Sequence, residues 1–459
     1  MDLEAIFNPK SVAIIGASEN PYKIGGQAVR AILDCGYSGA IYLVNPEHEN
    51  ILGQKCNGAI QDLPLGIDLY IFCIPAAETP EALQRVTERQ GRAGIIFAGG
   101  FREMGGRGVA LETKIREIAG SRFLVVGPNV AGIVNFHGPL NATFLPSWRA
   151  FPKGKVSILS QSAGMGFAIM SALADENVGI SKYISIGNRT NLDFPEYLSY
   201  LRDDPTTEII CIFIEGTERA RELYEDVMIC AQQKRILVRL GGHHKSSART
   251  ALSHTGSMAS EPALYRAALQ QAGCMVVDDV REMARVAKFL LYYPAVDASK
   301  GPAVITHTAG PSIIIADTLE QGGVYLPELA PQTQQKIREI VPEAANVTNP
   351  VDTVGGAAFD HRIYIRCLET VLSDSRVGLV IITYAHLLNP DIKFPVREIA
   401  RLSKQWKKPV MVCMIAPRFS RVANDEADEW EVEGIPVYRY PEDAGKTVVN
   451  LYKVFSRPN

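Results

Sequence analysis

Several features are scarce in this 459-residue chain, and each absence removes a class of protein. The eight cysteines are scattered without a Cys-x-x-Cys pair, so the sequence indicates neither a zinc site nor a disulfide framework. No apolar run approaches the length that spans a bilayer, and the first residues lack the basic segment of a signal peptide. We therefore expect a cytoplasmic protein that does not enter a membrane.

Charge of one sign is scarce as well. The net charge is −3 and there is no basic stripe, so nucleic acid is not an expected partner. Hydrophobic residues make up 47% and charged residues 21% of the chain, which is typical of globular proteins. By the usual length prior, the chain should hold about three domains.

Residues 11–135 alternate short apolar runs with helical patterns such as the one at 26–33. This alternation predicts a parallel sheet with right-handed crossovers, a Rossmann-like unit. Ligands bind such sheets at the carboxyl ends of the strands. The residues at these ends are mostly small or are Pro and Asn: Gly16-Ala17-Ser18, Asn45-Pro46, Ile74-Pro75-Ala76, Ala98-Gly99-Gly100-Phe101 and Gly127-Pro128-Asn129.

A dinucleotide is the first ligand to consider, and the residues argue against it. The first turn, from Gly16 to Gly25, is too long for Gly-x-Gly-x-x-Gly. The second strand ends in Asn45-Pro46 without an acid for a ribose. The longer loop carries Ser18 and Lys23 before a helix, which suits phosphates, although a purely structural turn is the alternative. We expect a phosphorylated nucleotide other than NAD.

A segment rich in Pro and Gly at 139–154 predicts a domain boundary, after which a second α/β unit begins. There the strand 156–159 leads through Ser160-Gln161-Ser162-Ala163-Gly164 into a helix. Ser162 is expected to be the N-cap, and the free amides behind it form an anion site. Glu215 follows the strand 209–214; taken alone, it is more typical of a solvated carboxylate.

The most informative stretch is Leu252-Ser253-His254-Thr255-Gly256-Ser257. It follows the strand 236–240 and a polar, glycine-containing run, so we expect it on a loop at the same sheet edge as Glu215 and Ser162. A neutral imidazole on a loop can act as a base, a metal ligand or a nucleophile. A solvated polar side chain is the alternative for an arbitrary loop histidine.

A boundary near 299–302 begins a third unit that resembles a copy of the second. The run from Val304 to Gly310 parallels 158–164 at a constant offset, and later strands at 378–383 and 409–414 follow the same order. The copy lacks counterparts of Glu215 and the histidine loop, which places the chemistry in the second unit. His307 either touches ligand or packs locally.

Together these motifs resemble a known family: the α subunit of NDP-forming acyl-CoA synthetases (acetate–CoA ligase, ADP-forming), relatives of succinyl-CoA synthetase. The resemblance covers essentially the whole chain. It implies a CoA-binding Rossmann-like domain at 1–140 and two flavodoxin-like CoA-ligase domains at 150–298 and 300–459. It also implies that acyl-CoA and phosphate give acyl phosphate, that His254 takes the phosphoryl group, and that NDP then receives it.

The resemblance assigns roles by position. Glu215 would bind the second ring nitrogen of His254, and Ser162, Ala163 and Gly164 would bind phosphate. No protein metal ligand is expected. The strand ends of the first unit would contact coenzyme A through Gly16, Ser18, Lys23, Asn45, Pro46, Pro75, Ala98, Gly99 and Asn129.

The chain contains no Gly-x-x-x-x-Gly-Lys-Ser/Thr and no length for an ATP-grasp domain. By resemblance, Mg²⁺ and ADP or ATP would bind a separate β subunit with an ATP-grasp domain, giving an (αβ)₂ heterotetramer. The substrates would be a small carboxylic acid, its acyl-CoA and inorganic phosphate. The alternatives are a CoA-binding regulatory or scaffold protein without turnover and, less favoured, an NAD-dependent dehydrogenase. Two departures from the family pattern stand out: Ala163 replaces the glycine of Ser-Gln-Ser-Gly, and the run from Thr308 to Pro311 lacks one glycine of Asn-Ala-Gly-Gly-Pro.

Overall fold

The computed structural model describes residues 3–242 and 262–456. Contacts divide the chain into two compact units, Met1–Ala284 and Arg285–Asn459. The predicted histidine loop, including His254, lies outside the described residues. In the part of the chain that is described, no helix is long and apolar enough to cross a membrane.

The first sheet has the order β3-β4-β2-β1-β5-β6-β7 and is parallel except for the β3–β4 hairpin. Its central strands are apolar on both faces because helices cover them, which confirms the predicted Rossmann-like unit. The strands in chain order are β1 Ser11–Ile15, β2 Ala40–Val44, β3 Asn50–Ile51, β4 Gln54–Asn57, β5 Leu69–Phe72, β6 Ala93–Ile96 and β7 Leu124–Val126.

The second sheet has the order β14-β13-β12-β10-β11-β8-β9. Strands β10 to β14 are parallel, whereas β8 pairs antiparallel with β11 and with β9. The strands are β8 Gly132–Asn135, β9 Leu140–Thr143, β10 Lys153–Ser160, β11 Ile180–Ser185, β12 Ile209–Ile214, β13 Arg235–Leu240 and β14 Met275–Val277.

The chain enters this second sheet earlier than the segment rich in Pro and Gly at 139–154. That segment connects β9 to β10, which both belong to the second sheet. The short strand β8 is fully buried, and pairing with β11 removes its apolar side chains from water, which stabilises the fold. The predicted domain limits stay a prediction. The chain passes from the first sheet to the second between residues 126 and 132.

The third sheet is entirely parallel with the order β16-β15-β17-β18-β19. Its strands are β15 Gly301–Thr306, β16 Val351–Asp352, β17 Val377–Ala385, β18 Val410–Ile415 and β19 Val437–Tyr438. Counted in chain order, both this sheet and the parallel part of the second sheet have the order 2-1-3-4-5. This is the flavodoxin-like order, and it confirms the predicted repeat.

Amphipathic and apolar helices cover the sheets. In the first unit they are Glu4–Phe7, Ile24–Asp34, Thr79–Glu88, Gly106–Ala119, Ala163–Asp175, Phe194–Asp203, Ala220–Cys230 and Pro262–Gln271. The helix Val280–Tyr292 crosses the boundary between the units, and the second unit continues with Ala309–Gln321, Pro331–Arg338, Arg362–Ser373, Val396–Trp406, Arg421–Val432 and Pro441–Phe455. Short 3₁₀ turns lie at Ile60–Asp62, Arg102–Met104, Trp148–Ala150 and Gly355–Ala358.

A repeated detail supports the duplication of the fold. Lys234, just before β13, donates from Nζ to the backbone oxygens of Asp204 and Thr207. Lys408, just before β18, donates in the same way to the oxygens of Leu372 and Asp374. In both units an ammonium group therefore closes the turn that follows a helix, at the amino edge of the sheet.

Candidate functional site

The predicted coenzyme A cleft lies where the strand order of the first sheet reverses, between β1 and β5. Gly16 follows β1 with φ +82°, and a Cβ there would lie 2.7 Å from the backbone oxygen of Cys73 after β5. A Cβ at Gly25 would lie 1.9 Å from the backbone oxygen of Gly16. These glycines let the helix Ile24–Asp34 begin against the first turn.

The polar residues predicted around this turn have different surroundings. Ser18 is buried and its hydroxyl accepts from the amide of Asn20 at 3.1 Å. Asn45 donates from its amide to the oxygen of Ala17 at 2.7 Å, so its side chain ties the second strand end to the first turn. Lys23 and Pro46 are exposed, and Lys23 precedes the helix as its N-cap residue. Lys23 is therefore the charged group of the set that a phosphate can reach.

The remaining predicted residues share the same sheet edge. Pro75 and Gly99 are exposed, while Ala98 and Asn129 are half-buried. The amide of Asn129 donates to the oxygen of Ala98 at 3.0 Å, and a Cβ at Gly99 would lie 3.4 Å from the side-chain oxygen of Asn129. These contacts bring the ends of β6 and β7 together beside the cleft.

At the second sheet, the helix Ala163–Asp175 begins as predicted. Ser162 is the N-cap, and its hydroxyl accepts from the amide of Met165 at 3.4 Å. Ser160 donates to the backbone oxygen of Ser162 at 2.6 Å and holds the turn. Gly164 is exposed, and a Cβ there would meet nothing within 4 Å. The first turn of this helix is therefore open to a ligand, with amides that have no acceptor in the helix.

Glu215 lies beside that helix start because Gln161 connects the two loops. The side-chain oxygen of Gln161 accepts from the amides of Glu215 and Gly216 at 2.9 and 3.3 Å. Strands β10 and β12 are neighbours, and the strand order reverses between them. The structure thus brings Ser162 and Glu215 to one switch point, as the sequence predicted, whereas the role of Gln161 was not predicted.

A loop at 186–193, after β11, was not identified from the sequence, although it joins the first sheet to the second. The amides of Asn188 and Thr190 donate to the backbone oxygens of Pro128 and Gly127 at 2.9 and 3.0 Å. Gly187 has φ +52°, and a Cβ there would lie 2.3 Å from the oxygen of Pro128. The turn-forming run from Gly187 to Asn191 was the available signal.

The side chain of Asn188 strengthens this joint. Its amide donates to Glu103 at 2.6 Å and to Glu112 at 2.9 Å. Glu103 also accepts from the amides of Gly100 and Phe101 at 2.6 and 3.2 Å. Burial raises the pKa of Glu103, but the hydrogen bonds from Asn188 and these amides outweigh it and hold the pKa below its ordinary value.

In the third sheet, His307 occupies the position equivalent to Gln161. Its Nδ1 lies 2.8 Å from the hydroxyl of the buried Tyr364. Burial lowers the pKa of His307, with His361 adding to the shift. The pocket that it lines has a free volume of about 10 Å³, which is room for about one water molecule. The surroundings favour local packing for His307.

The end of β17 carries a polar cluster that the sequence analysis did not identify. The hydroxyl of Tyr384 is hydrogen-bonded to Glu426, and the indole nitrogen of Trp430 donates to that hydroxyl at 3.0 Å. Nε2 of His386 lies 3.4 Å from the other carboxylate oxygen of Glu426, and its Nδ1 accepts from the amide of Leu388. Both ring nitrogens of His386 therefore contact neighbouring groups at the carboxyl end of β17.

Comparison with protein-family models gives three matches along the chain. Residues 10–135 match a CoA binding domain, residues 153–290 a succinyl-CoA ligase like flavodoxin domain, and residues 303–455 a ligase-CoA domain. These matches agree with the three sheets and confirm the predicted fold class.

Curated relatives and solved structures extend the comparison. The α subunit of the acetate–CoA ligase [ADP-forming] II of Pyrococcus furiosus is 31% identical, covering 98% of this chain and 97% of the relative. Acetate–CoA ligase [ADP-forming] I of Archaeoglobus fulgidus is 34% identical over 83% of this chain, which spans only 54% of that longer protein. The acetyl-coenzyme A synthetase 1 of Ca. Korarchaeum cryptofilum, described as dinucleotide forming and solved with phosphate and ADP, is 29% identical with a TM-score of 0.87. That alignment covers 99% of this chain and 97% of the solved chain.

The domain matches, the fold and the coverage of the Pyrococcus subunit agree from one end of the chain to the other. The chain therefore belongs to the family of ADP-forming acetate–CoA ligase α subunits.

Proposed function

We propose that this chain is the CoA-binding and phosphate-carrying subunit of an NDP-forming acyl-CoA synthetase. It interconverts acyl-CoA, NDP and phosphate with a carboxylic acid, CoA and NTP. The observation that carries the proposal is the hydrogen bond from the backbone amide of Glu215 to the side-chain oxygen of Gln161, since it keeps Glu215 beside the open helix tip at Ser162. The relatives named above support the same reaction class.

The proposed reaction has three steps. Phosphate attacks the acyl carbon of acyl-CoA, and the CoA thiolate leaves, giving acyl phosphate. A ring nitrogen of His254 then attacks phosphorus, and the electron pair of the broken P–O bond leaves with the carboxylate. Finally the phosphoryl group passes from His254 to NDP.

Each residue has a defined role in the proposed transfer. Glu215 accepts the hydrogen bond of the second ring nitrogen of His254, which fixes the tautomer and supports positive charge on the ring. The amides of Ala163 and Gly164 bind phosphoryl oxygens, because a helix N-terminus favours anions. Coenzyme A binds along the first sheet edge, with Lys23 placed to meet its phosphates.

The nucleotide site is assigned to a second polypeptide. We propose a β subunit with an ATP-grasp domain that holds Mg²⁺ with ADP or ATP, in an (αβ)₂ assembly in the cytoplasm. The names of the Pyrococcus relatives as α subunits support the existence of a partner subunit.

Reconstitution with such a partner tests the proposal. The chain and a candidate ATP-grasp subunit are mixed with Mg-ATP, CoA and a series of carboxylic acids that begins with acetate, and acyl-CoA is measured by chromatography. Acyl-CoA should form only when both chains are present, and the preferred acid identifies the acyl group. CoA binding without turnover on any acid would instead support the regulatory or scaffold alternative.

A further inference from the structure

Two buried side chains at the rim of the second sheet carry donors that have no hydrogen-bond acceptor among the described residues. They are Gln161, through Nε2, and Arg189, through Nε and Nη1. The two residues are only 3% and 6% exposed, so bulk water does not reach these groups. A buried donor without an acceptor is unfavourable, and an anion that binds there removes the penalty.

The side chain of Arg189 forms an ion pair with Asp193 on the loop that follows β11. Its Nε lies 3.0 Å from one oxygen of Asp193, whose other oxygen accepts from the hydroxyl of Thr217 at 3.0 Å. Arg189 follows β11 and Thr217 follows β12, and these strands lie on either side of β10. The chain of contacts therefore crosses the carboxyl end of β10, where Gln161 and Ser162 lie.

These groups are all hydrogen-bond donors at the carboxyl end of the second sheet. The helix start after Ser162 contributes backbone amides at a positive dipole end. Gln161 contributes a neutral amide, and Arg189 a planar cation whose geometry suits phosphate oxygens. The ion pair with Asp193 holds the guanidinium group, and neither Nε nor Nη1 has a hydrogen-bond acceptor among the described residues.

We propose that Arg189 and Gln161 bind oxygens of the phosphoryl group at the Ser162 helix tip, and that Arg189 is a catalytic residue of the transfer. This inference rests on the proposed function and adds two residues to its phosphate site. The ligand is a phosphoryl group, either of inorganic phosphate or of acyl phosphate. As the P–O bond breaks and the bond to His254 forms, Arg189 neutralises charge on the remaining oxygens without gaining or losing a proton.

Binding of inorganic phosphate to the full chain tests the inference. Isothermal titration calorimetry compares the wild type with Arg189→Met, Arg189→Lys and the control Arg219→Met. Arg219 is a suitable control because it forms ion pairs with Glu196 and Glu222 at the same rim. Arg189→Met should weaken phosphate binding about 100-fold, Arg189→Lys should weaken it less, and the control should match the wild type.

A second variant is needed because Arg189 and Asp193 form a buried ion pair, and Arg189→Met leaves the Asp193 carboxylate without its cation. Arg189→Met/Asp193→Asn removes both charges and keeps an oxygen for the cap of the helix Phe194–Asp203. Thermal unfolding identifies which variant folds, and that variant should show the weakened phosphate binding. Phosphate affinity within about twofold of the wild type in a folded variant would overturn the inference, as would a wild type that binds no phosphate.

Labelling with acetyl [³²P]phosphate distinguishes the two ligand sources and separates this inference from the proposed function. If the wild type is labelled but the folded Arg189 variant is not, Arg189 binds the phosphoryl group of acyl phosphate as well as inorganic phosphate. Wild-type chain that binds phosphate through Arg189 but takes no label at His254 would keep the anion site and contradict the proposed function. If the Arg189 variant is labelled at His254 as fully as the wild type and binds phosphate with unchanged affinity, the role of Arg189 is contradicted while the proposed function stands.

Discussion

The side-chain oxygen of Gln161 lies 2.9 Å from the backbone nitrogen of Glu215 and accepts its hydrogen bond. The same oxygen accepts from Gly216 at 3.3 Å. One buried side chain therefore joins the loop before the Ser162 helix to the loop that carries the carboxylate.

We expect Gln161→Leu to separate these loops. Two backbone amides, of which that of Gly216 is buried, lose their acceptor, so the free energy of unfolding should fall by about 1–3 kcal/mol. Phosphorylation of His254 should slow while CoA affinity stays at the wild-type value, because the CoA cleft lies at another sheet. Urea denaturation, labelling and calorimetry measure the three quantities, with the exposed Gln84→Leu as control. Wild-type stability and labelling in Gln161→Leu would contradict the role assigned to this hydrogen bond.

Glu215→Gln keeps the size of the side chain and the backbone hydrogen bond to Gln161 but removes the negative charge. The phosphorylated imidazole ring then lacks its supporting carboxylate, and phosphoryl transfer should slow at least about 100-fold. CoA affinity should remain nearly unchanged. Rapid-quench labelling and calorimetry test both statements, and the exposed Glu225→Gln should behave as the wild type. An equal loss of CoA binding and transfer would mean that Glu215 is misplaced in this account.

Gly25→Ala tests the first turn. The added methyl would lie 1.9 Å from the oxygen of Gly16, so the helix start must move away. We expect a loss of about 1–3 kcal/mol of stability and a marked fall in CoA affinity. Gly58→Ala is the matched control, since its added Cβ would lie 3.8 Å from Asp62. Normal CoA binding by Gly25→Ala would place the cofactor away from this turn.

The buried pair of Lys182 and Asp204 should contribute to stability in a pH-dependent way. Their charged atoms lie 2.5 Å apart, and both side chains are nearly inaccessible to water. Asp204→Asn leaves the ammonium group without its carboxylate, which typically costs about 3–5 kcal/mol. Lys182→Met/Asp204→Asn should unfold at a denaturant concentration closer to that of the wild type, which chemical denaturation at pH 7 can measure.

The sign of the pH effect follows from Asp204. Burial raises the pKa of Asp204, but the bonds from Lys182 and Thr207 outweigh it and hold the pKa below the ordinary value. The carboxylate therefore stabilises the fold fully above its unfolded pKa of about 3.9. This contribution is lost as the pH falls through the lower folded value. The stability difference between wild type and Asp204→Asn should shrink only below about pH 4, and a difference that disappears near pH 6 would contradict the assignment.

Much of the fold could be predicted because it depends on periodic patterns. The alternation of apolar strands and helices predicts the first sheet, and the repeat around Val304–Gly310 predicts that the second and third sheets share a strand order. The strand β8 was not predicted because it is short and is stabilised by pairing with β11, which lies far from it in sequence. No local pattern specifies such a partner.

The candidate site could be predicted only in part. Ser162 and Glu215 follow strands that become neighbours, so their shared edge follows from topology. Gln161 and Asn188 could not be assigned, since each acts through a hydrogen bond with a residue from another strand end. Arg189 could not be assigned either, since its ion pair with Asp193 depends on how the loop after β11 folds. Such contacts depend on side-chain direction, which the spacing of residues along the chain does not determine.

Mass spectrometry of the chain after incubation with acetyl phosphate tests the central claim most directly. The account predicts one acid-labile phosphoryl group on His254, absent from His254→Ala and strongly reduced in Glu215→Gln. No phosphoryl group on the wild type, or the same amount on His254→Ala, would contradict it.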